Sequence, residues 1–496
     1  MLINAEHLLQ YQRCKRRPVL DIHGDKTQRD TPSELLVKLQ QDKNAHRLSI
    51  LAQFPYAKPD YPRGQWQAGQ AATIELMQRG VDYIYQGVLL ANYSQLLDAQ
   101  PASYHPTLLS CPDLLVKQPG ESCFGKWMYV PVNIELGKRP KQEYQVVTAF
   151  HTAVLATVQG VTPSTAWLML RTKQSKYPID LSRWTQQMQA ILQEFIQAIE
   201  AETKPEIFIS RQKCNLCQWH SQCYAIAKSE QHLSLLPGVS PLRYTQLQTL
   251  SITTLESLAD TTPDTLENLV GFDSQVATKL VIQAQSVLQN RPLILPFPPQ
   301  ELDITPNSPI ELYFDIEAQP DLNLDYLLGV LVVNKQTNTK KFYSFLAENP
   351  EQEELIWQQF LELVWQYPDA PIYHFCVYEL DTVKRLAKLY RTPNKLVQPV
   401  LNRFVDIYEY LTATVALPIE SYALKAIARW LGFEWRNPEA SGAKCIYWYE
   451  QWLETGDRSL LEIISSYNED DCHATHRVKD WLFDFLQDKY HLKQAI

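Results

Sequence analysis

Carboxylates in two distant segments of this chain have the spacing of metal ligands. Asp315 and Glu317 lie either side of Ile316 in the run ELYFDIEAQ. On a strand both would face the same side, with Cα atoms roughly 6.6 Å apart. Tyr467 and Asp471 are four residues apart on a predicted helix, so a phenol and a third carboxylate share one face. Carboxylates that converge from separate elements could hold the paired cations that catalyse in-line phosphoryl displacement.

The order of these motifs resembles the DnaQ-like (DEDD) 3′–5′ exonucleases of the RNase H-like superfamily, in the subclass whose last motif is YxxxD. The resemblance implies a further acid where a helix follows a strand. Residues 371–376 are predicted to form that strand and Tyr378 to begin the helix, so Glu379 takes this place, with Asp381 as the alternative. Asp406 resembles an acid that lies between the second and last motifs in many members.

The resemblance also implies a cofactor and a role for each ligand. Two Mg²⁺ or Mn²⁺ ions are expected, with Tyr467 positioning the attacking water. The expected metal ligands are Asp315, Glu317, Glu379 and Asp471. An isolated DxE is usually a solvated surface feature, and we interpret Asp325, Glu354 and Asp369 in that way.

Cysteines form a second ligand pattern. The sequence CNLCQWHSQC places three of the nine cysteines in a Cys-x2-Cys-x5-Cys cluster, at Cys214, Cys217 and Cys223. A tetrahedral thiolate site needs a fourth ligand. Cys14 is the best candidate, because the basic residues that follow it favour the thiolate. His220 is a rival ligand. The odd number of cysteines, with no signal peptide ahead of them, argues against disulfides and for a reducing cytoplasm.

A lone amino-terminal cysteine followed some 200 residues later by this cluster resembles the iron–sulfur staple of RecB-family nuclease domains, which have the PD-(D/E)XK fold. The resemblance implies a [4Fe-4S] cluster, and zinc is the alternative ion.

The RecB resemblance also implies a nuclease site between the cysteines. Asp113 fits the first metal-binding strand, and His46 resembles a helical ligand. The acid and lysine of the third motif are missing, because Asn133 and Glu135 occupy their positions. Glu135 with Lys138 could replace them only through a bulge, because residues three apart on a strand face opposite sides. We therefore expect a degenerate scaffold that binds nucleic acid without cutting it.

Two glycine turns, at Gly238 and Gly271, each lead into an amphipathic run. They resemble tandem helix-hairpin-helix motifs, in which backbone N–H groups approach a nucleic-acid phosphate. A plain helical connector explains the same residues. In the last third of the chain, Lys425 lies on a predicted helix that resembles the border of a substrate groove, where it could face a phosphate.

Chain length and a proline-rich boundary segment support a multi-domain α/β protein. At 496 residues, three domains are expected. The predicted segments are a RecB-like restriction-endonuclease-type α/β domain at 1–230, a helical connector at 231–290, a proline-rich linker at 291–309, and an RNase H-like mixed-sheet α/β domain at 310–496. No run is apolar and long enough for a membrane helix. The net charge of −9 excludes a strongly basic, wrap-around nucleic-acid binder.

Together the segments resemble RecB-like nucleases with a carboxy-terminal RNase H-like domain. This implies metal-dependent cleavage of DNA or RNA from a 3′ end. Two alternatives remain: a non-catalytic nucleic-acid-binding adaptor in a repair or defence complex, or cleavage by the amino-terminal site. The sequence does not identify a protein partner, such as a helicase.

Overall fold

The computed structural model describes residues 1–96, 106–171, 176–201, 204–296 and 308–494, which form two compact α/β units, Met1–Ile226 and Ala227–Ile496. In the first unit the strands are β1 (Leu2–Asn4), β2 (Tyr83–Tyr85), β3 (Leu89–Asn92), β4 (Thr107–Ser110), β5 (Leu114–Ser122), β6 (Gly125–Glu135), β7 (Trp167–Leu170) and β8 (Lys176–Pro178). Its helices are α1 (Ala5–Arg13), α2 (Arg16–His23), α3 (Glu34–Leu51), α4 (Trp66–Gln78), α5 (Gln142–Gln159), α6 (Leu181–Glu200), α7 (Arg211–Cys214) and α8 (His220–Ser229).

Two sheets form the framework of this unit. The larger has the order β2-β5-β6-β7-β8, with β6 and β7 parallel and the other pairs antiparallel. The smaller has the order β1-β4-β3. Helix α6 packs against α5 and α1 through one apolar face: Asp180 caps its first turn, and Trp184, Met188, Leu192 and Phe195 recur every three or four residues on its buried face.

The second unit begins with a helical segment: α9 (Pro241–Thr249), α10 (Leu255–Ala259), α11 (Pro263–Glu267) and α12 (Ser274–Gln289). Helix α12 packs beside a two-stranded sheet of β9 (Leu293–Ile294) and β15 (Val415–Ala416). Gln283 Nε2 donates to the carbonyl of Leu417 at 2.6 Å. The predicted linker therefore begins with a paired strand, and its residues 297–307 lie outside the described part of the chain.

The other strands of the second unit are β10 (Ile310–Gln319), β11 (Leu324–Asn334), β12 (Thr339–Leu346), β13 (Ile372–His374) and β14 (Phe404–Asp406). They form one mixed sheet of order β12-β11-β10-β13-β14, antiparallel from β12 to β10 and parallel from β10 to β14. Its helices are α13 (Glu353–Gln366), α14 (Tyr378–Leu389), α15 (Asn394–Leu401), α16 (Ile407–Thr414), α17 (Leu424–Trp430), α18 (Gly442–Thr455) and α19 (Arg458–Gln494). The strand predicted around Asp315 and the helix predicted around Asp471 are confirmed as β10 and α19.

Strand β10 presents opposite faces to two helices. Phe314 faces α13, where its ring lies 4.6 Å from that of Phe360. Tyr313 faces α19, where its ring meets that of His476 at 4.8 Å. Because side chains alternate along a strand, Asp315 and Glu317 lie on the α19 face with Tyr313. The 37-residue helix α19 runs along β10 and β11, so its side chains can meet this face at several points.

Candidate metal centre

Three of the predicted ligands converge at the α19 face of β10. One carboxylate oxygen from each of Asp315, Glu317 and Asp471 lies within 4.8 Å of the other two. Asp315 keeps partial contact with solvent, whereas Glu317 and Asp471 are buried. Oxygen ligands grouped in this way suit a hard divalent cation such as Mg²⁺ or Mn²⁺.

The group is electrostatically unfavourable without a cation. Loss of most of its water contact raises the pKa of Asp315 well above its ordinary value, and the charges of Asp471, Glu317 and Glu379 raise it further. Burial and then Asp471 raise the pKa of Glu317 in the same way. Burial raises the pKa of Asp471 to about 7, although hydrogen bonds from Trp435 and Tyr467 oppose the rise. A bound divalent ion would offset this repulsion, which is why these residues fit one.

Two side chains that the sequence analysis missed hold the ligands in place. Asn468 Nδ2 donates to Asp315 Oδ2 at 2.6 Å, and Trp435 Nε1 donates to Asp471 Oδ1 at 2.7 Å. Both donors are buried. Asn468 adjoins Tyr467 in the YxxxD motif, so its position could have been noticed. Trp435 lies in a segment between α17 and α18 with neither helix nor strand and carries no such signal.

Tyr467 and Lys425 lie beside Asp471. The hydroxyl of Tyr467 hydrogen-bonds to the Asp471 carboxylate. The Nζ of Lys425 donates to the carbonyl of Ala440 and lies 5.2 Å from the ring centre of Tyr467 and 5.4 Å from that of Trp435. The predicted phosphate-facing lysine thus lies next to the carboxylate group.

The candidate fourth acid, Glu379, lies in the first turn of α14, as predicted, and is buried. Its charge is among those that raise the pKa of Asp315. His374 Nδ1 lies 3.5 Å from Glu379 Oε2. The alternative acid, Asp381, is 63% exposed and pairs with Lys384 at 3.5 Å. Of the two acids, Glu379 is therefore the one whose charge reaches Asp315, although within the described part of the chain its oxygens are not among those that lie within 4.8 Å of one another.

Asp406 has a structural role. Its Oδ1 accepts hydrogen bonds from the backbone N–H groups of Tyr408 and Glu409, which caps α16. The same oxygen accepts from the N–H of Cys376 at 3.1 Å, where the backbone has a φ of +80°. Asp406 thus fixes the left-handed turn that leads from β13 into the helix of Glu379.

Two cysteines outside the predicted ligand pattern also lie at the site. Cys445 hydrogen-bonds to Glu317. The thiol of Cys472 lies 3.6 Å from the carbonyl oxygen of Gly329. Burial raises the pKa of this thiol, and the charges of Asp315 and Asp471 raise it further. Both thiols are buried, so they form part of the wall behind the carboxylates.

A second group of nearby ligand atoms, from Glu311, His476 and Asp480, lies further along β10 and α19. Two ammonium groups already neutralise Glu311: Lys335 Nζ lies 2.6 Å and Lys479 Nζ 2.8 Å from its Oε1. A carboxylate with two cationic partners is a poor ligand for a further cation, so this group is an ion-pair network.

In the amino-terminal unit, Asp113 and Glu135 line one cavity of about 280 Å³. Cations of α3 hold both: Arg47 Nε lies 2.6 Å from Asp113 Oδ1, and Lys43 Nζ lies 3.0 Å from Glu135 Oε2. Asp113 Oδ2 also accepts from the N–H of Ile134 at 2.7 Å. Neither cation was anticipated from the sequence, although the two are one helical turn apart.

The other residues predicted for this site are placed differently. Lys138 is exposed in a bend after β6, so the partner of the buried Glu135 is Lys43 instead. His46 is half-buried on α3. Burial lowers its pKa, and the positive charge of Arg171 lowers it further. A metal at Asp113 and Glu135 would have to displace two ion pairs, so these residues do not fit one as they stand.

The four predicted cysteine ligands, Cys14, Cys214, Cys217 and Cys223, do meet around one small cavity, with His220 in its wall. Burial raises the pKa of the Cys214 thiol to about 11 and also raises that of Cys217 and Cys223. Among the described residues, these sulfurs are not in the groups of three or more ligand atoms that lie within 4.8 Å of one another. The four thiols therefore share one cavity wall.

The predicted hairpin glycines have the left-handed backbone that such turns require, with φ of +90° at Gly238 and +87° at Gly271. Arg243 joins them: its Nη1 donates to the carbonyl of Gly238 at 2.7 Å and its Nε to that of Gly271 at 2.8 Å. The carboxylate of Asp273 caps the helix after the second turn, accepting from Val276 N–H. That helix end therefore already carries a negative charge.

Comparison with known proteins identifies the class of the last third of the chain. A family model, RNase_H_2 of the RNase H superfamily, matches residues 312–483, which contain β10, α14 and α19. No curated protein matches the chain. The second unit therefore contains an RNase H-like domain, which indicates a nuclease-type function on nucleic acid. Such nucleases use divalent metal ions, and the acidic group described above is a candidate site for them. None of the helices within the described ranges is both long and apolar enough to span a membrane.

Proposed function

We propose that this protein is a metal-dependent nuclease that removes nucleotides from the 3′ end of DNA or RNA in its RNase H-like domain. The observation that carries the proposal is the convergence of Asp315, Glu317 and Asp471 within 4.8 Å. Three carboxylates from a strand and a helix form a group that a divalent cation would stabilise, because burial raises the pKa of all three and neighbouring carboxylates raise those of Asp315 and Glu317 further.

The residues divide into ligands and supports. Asp315, Glu317, Glu379 and Asp471 would hold two Mg²⁺ or Mn²⁺ ions, whose chemistry is to stabilise the attacking and leaving oxygens of phosphoryl transfer. Tyr467, with its hydroxyl on Asp471, would orient a water beside the scissile phosphate. Partial exposure of Asp315 leaves one side of the group open to substrate.

For the amino-terminal domain, taken as residues 1–230, we propose nucleic-acid binding without cleavage. The ion pairs of Asp113 with Arg47 and of Glu135 with Lys43 support this, because they occupy the carboxylates that a metal would need. The helical connector at 231–290, with Gly238 and Gly271, is proposed as a second contact for the backbone phosphates, ahead of the linker at 291–309 and the nuclease domain at 310–496.

We further propose a structural [4Fe-4S] cluster on Cys14, Cys214, Cys217 and Cys223, in a protein of the reducing cytoplasm. The resemblance of the cysteine spacing to the RecB-family staple favours a cluster over a single tetrahedral zinc ion. Cys217→Ser should abolish a brown colour and the stoichiometric iron and sulfide, whereas the exposed Cys123→Ser should not. A colourless protein that contains zinc would show that these cysteines bind zinc instead of a cluster.

End-labelled single and double strands of DNA and RNA, incubated with Mn²⁺, test the nuclease proposal. We expect stepwise shortening from the 3′ end that is lost in Asp315→Asn and kept in Asp113→Asn. The exposed Asp369→Asn is the matched control. Loss only in Asp113→Asn would move catalysis to the amino-terminal domain. Binding without cutting by the wild type in any divalent metal would identify an adaptor instead.

A further inference from the structure

A buried ion-pair network ties the helix of Glu379 to the strand pair that carries Asp315 and Glu317. Asp325, at the start of β11, is 2% exposed, and Glu353, at the start of α13, is 4% exposed. The expectation that Asp325 is a solvated surface acid is therefore wrong. Arg385 of α14 bridges the two carboxylates: its Nε lies 3.1 Å from Asp325 Oδ2, and its Nη2 contacts Asp325 and lies 2.6 Å from Glu353 Oε1.

Both ends of α14 are fastened to the same two carboxylates. Tyr378, which immediately precedes Glu379, donates its hydroxyl to Asp325 Oδ1 at 2.8 Å. Tyr390, at the carboxyl end of α14, donates to Glu353 Oε2 at 2.5 Å. The two acids are also joined, because the N–H of Asp325 donates to Glu353 Oε1 at 2.8 Å. Three contacts along one helix leave α14 little freedom to slide or turn.

The network is anchored close to the metal centre. Asp325 pairs with Ala318 across the β10–β11 hairpin, and Ala318 follows Glu317 directly, at a β-bulge. A bulge redirects the side chains next to it. The hydrogen bonds from α14 to Asp325 therefore reach the strand position that pairs with Ala318, directly beside Glu317.

We propose that the Asp325–Arg385–Glu353 network is a positioning device that sets the place of Glu379 relative to Asp315 and Glu317, and so sets the affinity for one of the two metal ions. The inference rests on the proposed function for the identity of the ligands. Arg385 contacts Asp325 and Glu353, which are not among the proposed metal ligands. It is a positioning residue that acts through α14.

Mn²⁺ titration by calorimetry tests the proposal without requiring cleavage. Arg385→Lys keeps the positive charge but loses the planar fork that reaches both carboxylates. We expect it to weaken binding of one Mn²⁺ by about 10-fold or more, the size of effect found for outer residues of metal sites. Glu379→Gln should weaken binding of the same Mn²⁺ ion. Lys384→Ala, on the exposed side of the same helix, should leave both ions unchanged.

A double variant separates positioning from general damage. If Arg385 acts through Glu379, then Arg385→Lys should cost nothing further in a Glu379→Gln background. Equal weakening in both backgrounds, or wild-type affinity in Arg385→Lys, would overturn the proposal. So would wild-type affinity in Glu379→Gln, since there would be no ligand to position. Tyr378→Phe, which removes one tie at an exposed side chain, replaces Arg385→Lys if that variant does not fold.

The two proposals fail separately. A wild type that binds Mn²⁺ and loses one ion in Arg385→Lys, yet cuts no strand, would end the nuclease proposal and support the positioning network. A wild type that cuts, with Mn²⁺ binding unaffected by Arg385→Lys, would do the reverse.

Discussion

Asn468 reaches Asp315 through a gap that Gly329 leaves in the neighbouring strand. Gly329 stands opposite Asp315 in the β10–β11 register, and a Cβ atom at position 329 would lie 1.6 Å from Asn468 Oδ1. Asn468 can therefore donate to Asp315 only because residue 329 has no side chain. A strand glycine often marks such a close approach.

Gly329→Ala should displace Asn468 and free Asp315 from its hydrogen bond. We expect nuclease activity to fall about 10- to 100-fold, as for other supports of metal ligands. Asn468→Ala should reproduce the loss. The exposed Gly442→Ala, where an added Cβ meets nothing within 4 Å, is the control. Full activity in Gly329→Ala, with the protein folded, would show that the Asn468 contact is dispensable.

Trp435→Phe should preserve the packing of the ring but remove the N–H that donates to Asp471. Asp471 would then be less firmly oriented, and we predict that the Mn²⁺ concentration for half-maximal activity rises about 10-fold or more. Trp365→Phe is the matched control. Trp365 lies on an exposed part of α13, and its indole N–H donates to the carbonyl of Leu396 at 3.1 Å. Identical metal dependence in the two variants would contradict the role given to Trp435.

Arg47→Ala should destabilise the amino-terminal domain by about 3 to 5 kcal/mol, the usual result of leaving a buried carboxylate without its partner. The partner is Asp113, which is 8% exposed. Denaturant unfolding followed within this domain gives the measurement. Adding Asp113→Asn to Arg47→Ala should recover part of the loss. Lys38→Ala breaks a more exposed pair on the same helix and should cost less than about 1 kcal/mol. Similar values for Arg47→Ala and Lys38→Ala would mean that the buried pair is not special.

The Glu311 network makes part of the stability depend on pH. Burial alone would raise the pKa of Glu311, but Lys335 and Lys479 outweigh it and hold the pKa below its ordinary value of 4.5. A carboxyl with a lowered pKa in the folded state stabilises fully above that ordinary value, and the stabilisation disappears as pH falls through the folded pKa.

The measurement is the difference in unfolding free energy between wild type and Glu311→Gln. We expect it to shrink as pH falls from about 6 to about 3. Glu348→Gln, which breaks a surface pair with Arg458, should show a smaller dependence. A difference that stays constant with pH would show that Glu311 is not the titrating group.

The sequence was informative where chemistry follows a local period. Residues two apart on a strand and four apart on a helix share a face, so Asp315 with Glu317 and Tyr467 with Asp471 could be paired before any fold was known. The glycine turns and the cysteine spacing are also local patterns, because each is defined by residues close together in the sequence.

Contacts between distant segments were not visible. Lys43 and Arg47 pair with Glu135 and Asp113, about 70 to 90 residues later in the chain, and nothing local marks them as partners. Asp325 resembles a surface acid in the sequence because its partner, Arg385, lies 60 residues away. Such environments depend on tertiary packing.

Crystals of the protein grown with Mn²⁺ and measured for anomalous scattering test the central claim most directly. We predict two peaks about 3.5 to 4 Å apart, held by Asp315, Glu317 and Asp471 with Glu379 at one of them, and none at Asp113 and Glu135. A map with no peak among the carboxylates of β10 and α19, or with its only peak in the amino-terminal cavity, would contradict the account.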